Sequence, residues 1–187
     1  MTRSIDEIVD LYRTWGDEAY DEEVSQTAHA RQCASLAALD GASESLCIAA
    51  LLHDIGHLFE LAKRNAPNQA ADLHHELTGS TFLADFFPDS VTIPIALHVD
   101  AKRHLSATDD IYRAGLSRGS ERSLELQGGP YTENESAEFL GRAGSIEALQ
   151  LRRWDDRGKV IGLEVAPFDS WIPMMRRIAR RDLSTES

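Results

Sequence analysis

Apolar positions along this chain recur at helical rather than strand spacing. Ile8, Leu11, Tyr12 and Trp15 share one helical face, with Ser4 and Glu7 as a capping box ahead of them and Gly16 as a stop. Ser25 predicts the N-cap of a second helix that carries Ala28, Leu36 and Leu39 and ends at Gly41. Ser43 opens a third, running unbroken through residues 43–59, apolar almost all round and therefore central. Residues 74–86 predict a fourth helix, stopped before Pro88, and residues 92–104 a fifth with Pro94 in its first turn. Residues 109–126 hold one or two shorter helices, and Gly128-Gly129-Pro130 breaks the chain. Thr132 and Glu135 form another capping box, and residues 145–156 and 169–181 finish the helical set. Residues 159–165 are apolar without helical period, so a short extended piece is expected there. No linker divides the chain, and a single all-α domain over residues 1–187 is expected.

A net charge of −12 argues against nucleic acid and anionic membranes as partners. A small anionic substrate stays open, because bound metal and a few local cations reverse the field inside a pocket. Cys33 and Cys47 read as small buried hydrophobes of a reducing compartment, not as a disulfide framework. The first residues lack the apolar centre of a signal peptide, and no apolar run is expected to serve as a membrane span of about 18 residues. A soluble cytoplasmic protein is the expectation.

The strongest chemical signal is His53-Asp54, set inside the apolar run Ala49-Ala50-Leu51-Leu52-His53-Asp54-Ile55-Gly56-His57. An ionisable pair in an apolar helix is costly unless something compensates it, and bound metal commonly does. His29 lies 24 residues before His53, His75 22 after it, His98 23 beyond that, and Asp155 a further 57 along. Near the N-terminus, residues 15–23 gather Trp15, Asp17, Glu18, Tyr20, Asp21, Glu22 and Glu23, side chains that suit an ammonium head group.

The series His29, His53-Asp54 and Asp155 resembles the HD-domain superfamily, and the added His75 and His98 resemble its subset that binds two metals. A closer resemblance spans nearly the whole chain. It is carried by Tyr20…Glu22-x-Val24-Ser25-x-x-x-His29-x-x-Gln32, His53-Asp54-Ile55-Gly56-His57, His75-Glu76-x-x-Gly79 and His98-Val99-x-Ala101-Lys102-Arg103. Two further segments complete it, Ser120-x-x-Ser123-Leu124-x-x-Gln127-Gly128-Gly129-Pro130 and Leu151-Arg152-Arg153-Trp154-Asp155-Asp156. The chain is similar in these to the HD-domain mixed-valent di-iron oxygenases that cleave the carbon–phosphorus bond of 1-hydroxyphosphonates.

The resemblance implies an all-α HD-domain helical bundle around a dinuclear metal site. It implies two iron ions, Fe(II)/Fe(III), on His29, His53, Asp54, His75, His98 and Asp155, with Asp54 bridging and O2 as cosubstrate. The implied substrate is a small zwitterion, 1-hydroxy-2-(trimethylammonio)ethylphosphonate or 1-hydroxy-2-aminoethylphosphonate, giving glycine betaine or glycine plus phosphate. Of the two, the trimethylated one is preferred. Lys102, one helical turn after His98, and Arg152, three residues before Asp155, are expected on the phosphonate together with Ser120, Ser123, Gln127 and His57. Tyr20 would occupy an iron until substrate displaces it, and Glu22 would meet the cationic end. Glu23 is the rival of Glu22, and His74 that of His75. His104 and the run Arg176-Arg177…Arg180-Arg181 are expected to be solvated. The alternative function is an HD-type metal-dependent phosphohydrolase, in which metal-bound hydroxide attacks phosphorus.

Overall fold

Helix initiation follows the capping residues closely in the computed structural model, which describes residues 4–18, 24–63 and 74–180. The Ser4 amide donates to Glu7 Oε1 at 3.2 Å while the Ser4 hydroxyl accepts from the Asp6 amide, which starts α1 at Ile5–Trp15. Ser25 and Ser43 cap α2 (Gln26–Leu39) and α3 (Glu44–Leu52) through their hydroxyls. There follow α4 (Ile55–Lys63), α5 (His75–Leu83), α6 (Asp89–Thr108), α7 (Asp110–Ala114), α8 (Arg118–Leu126), α9 (Glu133–Leu140) and α10 (Ser145–Arg157). A 3₁₀ turn at Phe168–Trp171 leads into α11 (Ile172–Ile178). Among the described residues there is no strand, and the architecture is a helical bundle.

The central element is α3, whose Ile48, Ala49, Ala50, Leu51 and Leu52 are wholly buried. It packs against α2 and α6, and α10 packs on α6, α2 and α3. Residues Glu44–Ala62 taken together are long and apolar enough to cross a membrane, contrary to expectation, but 72% of that window is buried inside the bundle.

Local structure departs from the apolar pattern at four places. The third helix is not continuous: a turn at His53-Asp54 separates α3 from α4. Side chains engage the backbone there, because the buried Tyr12 hydroxyl donates to the Leu51 carbonyl at 3.0 Å and His53 Nδ1 reaches back to the Ala50 carbonyl at 2.9 Å. Helix α6 starts at Asp89, so Pro94 lies within the helix and forgoes one backbone bond. Residues 159–165 turn at Gly162 (φ 70°) instead of extending. The bonds a neighbouring strand would make to Val160 come from the Gln32 side chain, whose Oε1 accepts at 3.0 Å and whose Nε2 donates at 2.8 Å. The last helix is shorter than its pattern, and its arginines are not simply solvated. Arg176 pairs with Asp6 at 3.3 Å and Arg177 with Glu44 at 2.6 Å, tying the C-terminal helix to α1 and α3.

Helices α4 and α5 approach backbone to backbone. A Cβ at Gly56 would stand 2.1 Å from the His75 carbonyl oxygen, and one at Gly79 would stand 3.2 Å from the Gly56 amide nitrogen. Only glycine at 56 allows this contact, which seats His75 over the turn after Asp54. Gly56→Ala should therefore lower unfolding free energy by about 1–3 kcal/mol, the usual cost of overpacking. Denaturant unfolding checks this, and an unchanged midpoint would show that the helices separate freely.

Candidate metal centre

The turn that ends α3 puts His53 and Asp54 at the middle of the bundle, where α2, α5, α6 and α10 each add one side chain. These are His29, His75, His98 and Asp155, all buried. Asp54 stands between two donor sets. Its Oδ2 lies 3.5 Å from both His29 Nε2 and His53 Nε2, and its Oδ1 lies 3.5 Å from His75 Nε2 and 3.7 Å from His98 Nε2. Asp155 completes the first set, 3.4 Å from His29 Nε2 and 3.7 Å from His53 Nε2. Within the sets, His29 and His53 nitrogens are 3.3 Å apart and those of His75 and His98 3.2 Å. Donors bound at about 2.0–2.2 Å and separated by 90–110° around one ion lie about 2.8–3.6 Å from each other. The observed spacings fall in or just above that range, so each set fits one metal ion, with the Asp54 carboxylate between them.

The ring orientations match this use. His29 Nδ1 donates to the Gly158 carbonyl at 2.8 Å, His53 Nδ1 to Ala50 and His98 Nδ1 to Ile95 at 2.7 Å. A carbonyl only accepts, so each Nδ1 carries a proton and leaves Nε2 facing the centre. Burial alone would lower His29, but Cys33, Asp155 and Asp54 hold it well above the usual histidine range, so a metal ion there would displace the proton on its Nε2. Burial, helped by neighbouring His57, pushes His75 well below the usual histidine range, and burial with His53 brings His98 down to about 3. Both are neutral ligands at pH 7. Burial alone would raise the two aspartates, but His53 and His29 hold Asp54, and Arg152 and Lys159 hold Asp155, well below the carboxylate range. His57 stacks on His75 with ring centroids 3.9 Å apart and brings Nε2 to 3.9 Å from Asp54 Oδ1. His74 is exposed on the outer surface.

Beside the first set lies a cationic cluster packed on α8. Lys102, buried on α6, donates to Ser123 Oγ at 2.7 Å. Burial and the nearby Arg152 bring its ammonium down to about 7. Arg152 spends its fork on the protein: Nη1 meets Asp155 Oδ2 at 2.5 Å, Nε meets Asp156 Oδ2 and the Tyr112 hydroxyl at 2.9 Å, and Nη2 meets Ser120 Oγ at 3.2 Å. It also pairs with Asp156 Oδ1. These bonds fix the orientation of the Asp155 carboxylate. Gln127 closes α8, and its Oε1 is buried without a protein partner. Gly128 and Gly129 turn the chain at φ 99° and 74°, and Arg103 Nε donates to the Gly129 carbonyl at 2.8 Å while its guanidinium lies over the Tyr131 ring. Adjacent Lys102 and Arg103 thus face opposite ways, one into the pocket and one onto the loop that borders it. Tyr20 and Glu22, and the rival Glu23, lie outside the described residues.

Scanned against models of known families, the chain matches none. Among characterised proteins, the hydroxymethylphosphonate dioxygenase of Gimesia maris is 47% identical over 160 residues, covering 84% of this chain and 79% of the relative. The glycine-betaine-forming [1-hydroxy-2-(trimethylamino)ethyl]phosphonate dioxygenase of Leisingera caerulea is 36% identical, covering 90% and 86%. The chain belongs to this phosphonate dioxygenase family. An uncharacterized protein of Acanthamoeba polyphaga mimivirus is also similar, 30% identical over 94% of this chain and 81% of the relative.

Sequence reasoning missed several side chains that contact the candidate residues. Asp156 and Tyr112 anchor Arg152, and Lys159 reaches Ser120 Oγ at 3.0 Å. A carboxylate one position beyond a ligand and a lysine past a helix end carry little signal without the fold. His104, expected to be solvated, is buried against Phe139, ring centroids 5.3 Å apart.

Lys102 sets a pH test. With its pKa near 7, the ammonium is largely deprotonated at pH 8, and an anion bound beside it restores the proton. Methanesulfonate, which does not titrate in this range, should bind at pH 8 with uptake of close to one proton, read from the buffer dependence of the binding enthalpy. Uptake should fade below pH 6 and vanish in Lys102→Met. Equal uptake in wild type and variant would remove Lys102 from the pocket's chemistry.

Proposed function

We propose that this protein uses molecular oxygen to cleave the carbon–phosphorus bond of a small 1-hydroxyphosphonate at a two-iron centre. The observation that carries the reading is the buried cationic serine pocket beside a carboxylate-bridged pair of histidine sets, in a chain of this family. His29, His53 and Asp155 would hold one iron, His75 and His98 the other, and Asp54 both. Imidazole and carboxylate donors suit iron. A Fe(II)/Fe(III) pair would supply electrons to oxygen and acidify the substrate hydroxyl.

The chain's own groups do the rest. Lys102 with Ser120, Ser123 and Gln127 binds the phosphonate and turns its carbon toward the ligand sets. Arg152 keeps Asp155 ionised and aimed, and adds positive charge behind the pocket. His57, beside Asp54 Oδ1, holds the proton released by the substrate hydroxyl. Tyr20 and Glu22 keep the roles that the sequence resemblance implies, Tyr20 as the group displaced by substrate and Glu22 toward the substrate's far end. In the overall change the C–P bond breaks, carbon 1 goes from alcohol to carboxylate, phosphate leaves, and both atoms of O2 end in the products.

The substituent on carbon 1 follows the relatives. The more similar one is named for hydroxymethylphosphonate, which has no amine, and the less similar for the trimethylated substrate. The pocket of Lys102 and its serines addresses the part these two share. Hydroxymethylphosphonate is accordingly the first substrate to try, with the amino and trimethylammonio compounds beside it.

Anaerobically reconstituted protein should bind two iron ions per chain, and His75→Ala or His98→Ala should reduce this to about one. A wild-type stoichiometry of one, unaltered by both substitutions, would refute the paired centre. In air, iron-loaded enzyme should release phosphate from at least one of the three hydroxyphosphonates. With ¹⁸O₂, one labelled oxygen should appear in the carboxylate and one in phosphate. Phosphate release that persists without oxygen would point to hydrolysis.

A further inference from the structure

Nine residues make up α8, and of them only Ser120 and Leu124 are buried. One leucine in the core is too little apolar burial to order a helix of that length. Polar bonds from other elements hold it instead. In its first turn Ser120 Oγ accepts from Arg152 Nη2 at 3.2 Å and from Lys159 Nζ at 3.0 Å. One turn on, Ser123 Oγ accepts from Lys102 Nζ at 2.7 Å.

The turn after α8 hangs on the residue next to Lys102. Arg103 Nε donates to the Gly129 carbonyl at 2.8 Å and Nη2 to the Gly128 carbonyl at 3.3 Å. Its guanidinium carbon stands 4.2 Å from the centroid of the Tyr131 ring, and its own carbonyl accepts from the Tyr131 amide at 3.2 Å. Gly128 lies so near that a Cβ there would stand 3.2 Å from Nη2. The turn is tied back to α8, because the Gly129 amide donates to the Leu124 carbonyl at 2.8 Å. Consecutive residues of a helix point about 100° apart, so Lys102 and Arg103 reach the body of α8 and the turn behind it from one position on α6.

The two holds differ in kind. Lys102 rests on one hydroxyl, and an anion bound in the cluster would compete with Ser123 for its ammonium. Arg103 bonds two backbone carbonyls and covers an aromatic face, and none of these partners belongs to the proposed anion site. We propose that Arg103 is a positioning residue for phosphonate binding: it fixes the end of α8, and with it Ser123 and Gln127, while Lys102 engages the anion. The inference rests on the reading of this cluster as a phosphonate site. A lysine at 103 would keep the charge but lose the planar fork that reaches both carbonyls.

The test compares wild type, Arg103→Met and Arg103→Lys, each iron-loaded. Amide hydrogen exchange follows residues 124–131, and calorimetry gives the affinity for methylphosphonate. Iron content and the kinetic constants are taken alongside. Both variants should exchange the Gly129 and Tyr131 amides about tenfold faster, with the α3 amides changed less. Methylphosphonate binding should weaken about fivefold or more. KM should rise by a similar factor, with iron content kept and kcat changed less. The lysine variant decides the question should the methionine variant fail to fold. Wild-type affinity and KM in a variant whose turn exchanges faster would show that Arg103 serves stability alone, and would overturn the proposal. Unchanged exchange at the turn would overturn it as well. If wild type binds no methylphosphonate, the phosphonate reading of the cluster falls and this proposal with it. A wild type that binds methylphosphonate but turns over no hydroxyphosphonate defeats only the proposed reaction, and the affinities still decide Arg103.

Discussion

The Asp54 carboxylate sits at the end of the most apolar helix in the protein, and the rest of the structure answers the cost of burying it. An isolated anion at that depth would take up a proton before it stayed charged. Its carboxyl is nonetheless held well below the usual range, chiefly by His53 and by the hydrogen bond from His29. The two aspartates are held ionised and His75 and His98 neutral, as candidate ligands should be, while His29 is held protonated by Asp155 and Asp54. A metal ion entering the first set would have to displace the His29 proton.

Meeting that constraint shapes the backbone. The continuous apolar helix is broken after Leu52, with the Tyr12 hydroxyl on the Leu51 carbonyl and His53 on the Ala50 carbonyl. Gly56 lets α5 close on α4 and seat His75, and α10 crosses to bring Asp155. Each ligand arrives from a helix end or a helix face already fixed by core packing, so the donor sets are rigid on five elements rather than mobile on loops.

Outside this centre the protein is strongly acidic, yet the pocket beside it is basic. The inversion comes from three cations pulled inward by two adjacent carboxylates and two serines. Arg152 is the keystone. It carries enough charge to pair with Asp155 and Asp156 together, and its planar fork matches their spacing in a way that lysine's point charge would not. Lys102 lies on the Ser123 hydroxyl, and Lys159 on Ser120 within reach of Asp155.

By itself the sequence determined the helical class, the starts of most helices and the His-Asp series, because caps, periodicity and ionisable residues in apolar runs are local signals. Ser4, Ser25, Ser43 and Thr132 cap where their side chains meet nearby amides, whatever the tertiary context. Tertiary structure decided what depends on distant partners. It broke the third helix at His53-Asp54, replaced an expected strand at Val160 with a clasp from Gln32, and drew His104 into the core against Phe139. It also gave Arg152 the carboxylates of Asp155 and Asp156 and the Ser120 hydroxyl as partners, and brought Lys159 beside Ser120, since a guanidinium's partners are set by which elements cross. Residues such as Asp156 and Lys159 look like ordinary surface charge in one dimension. They become part of a site only when α8 and α10 meet.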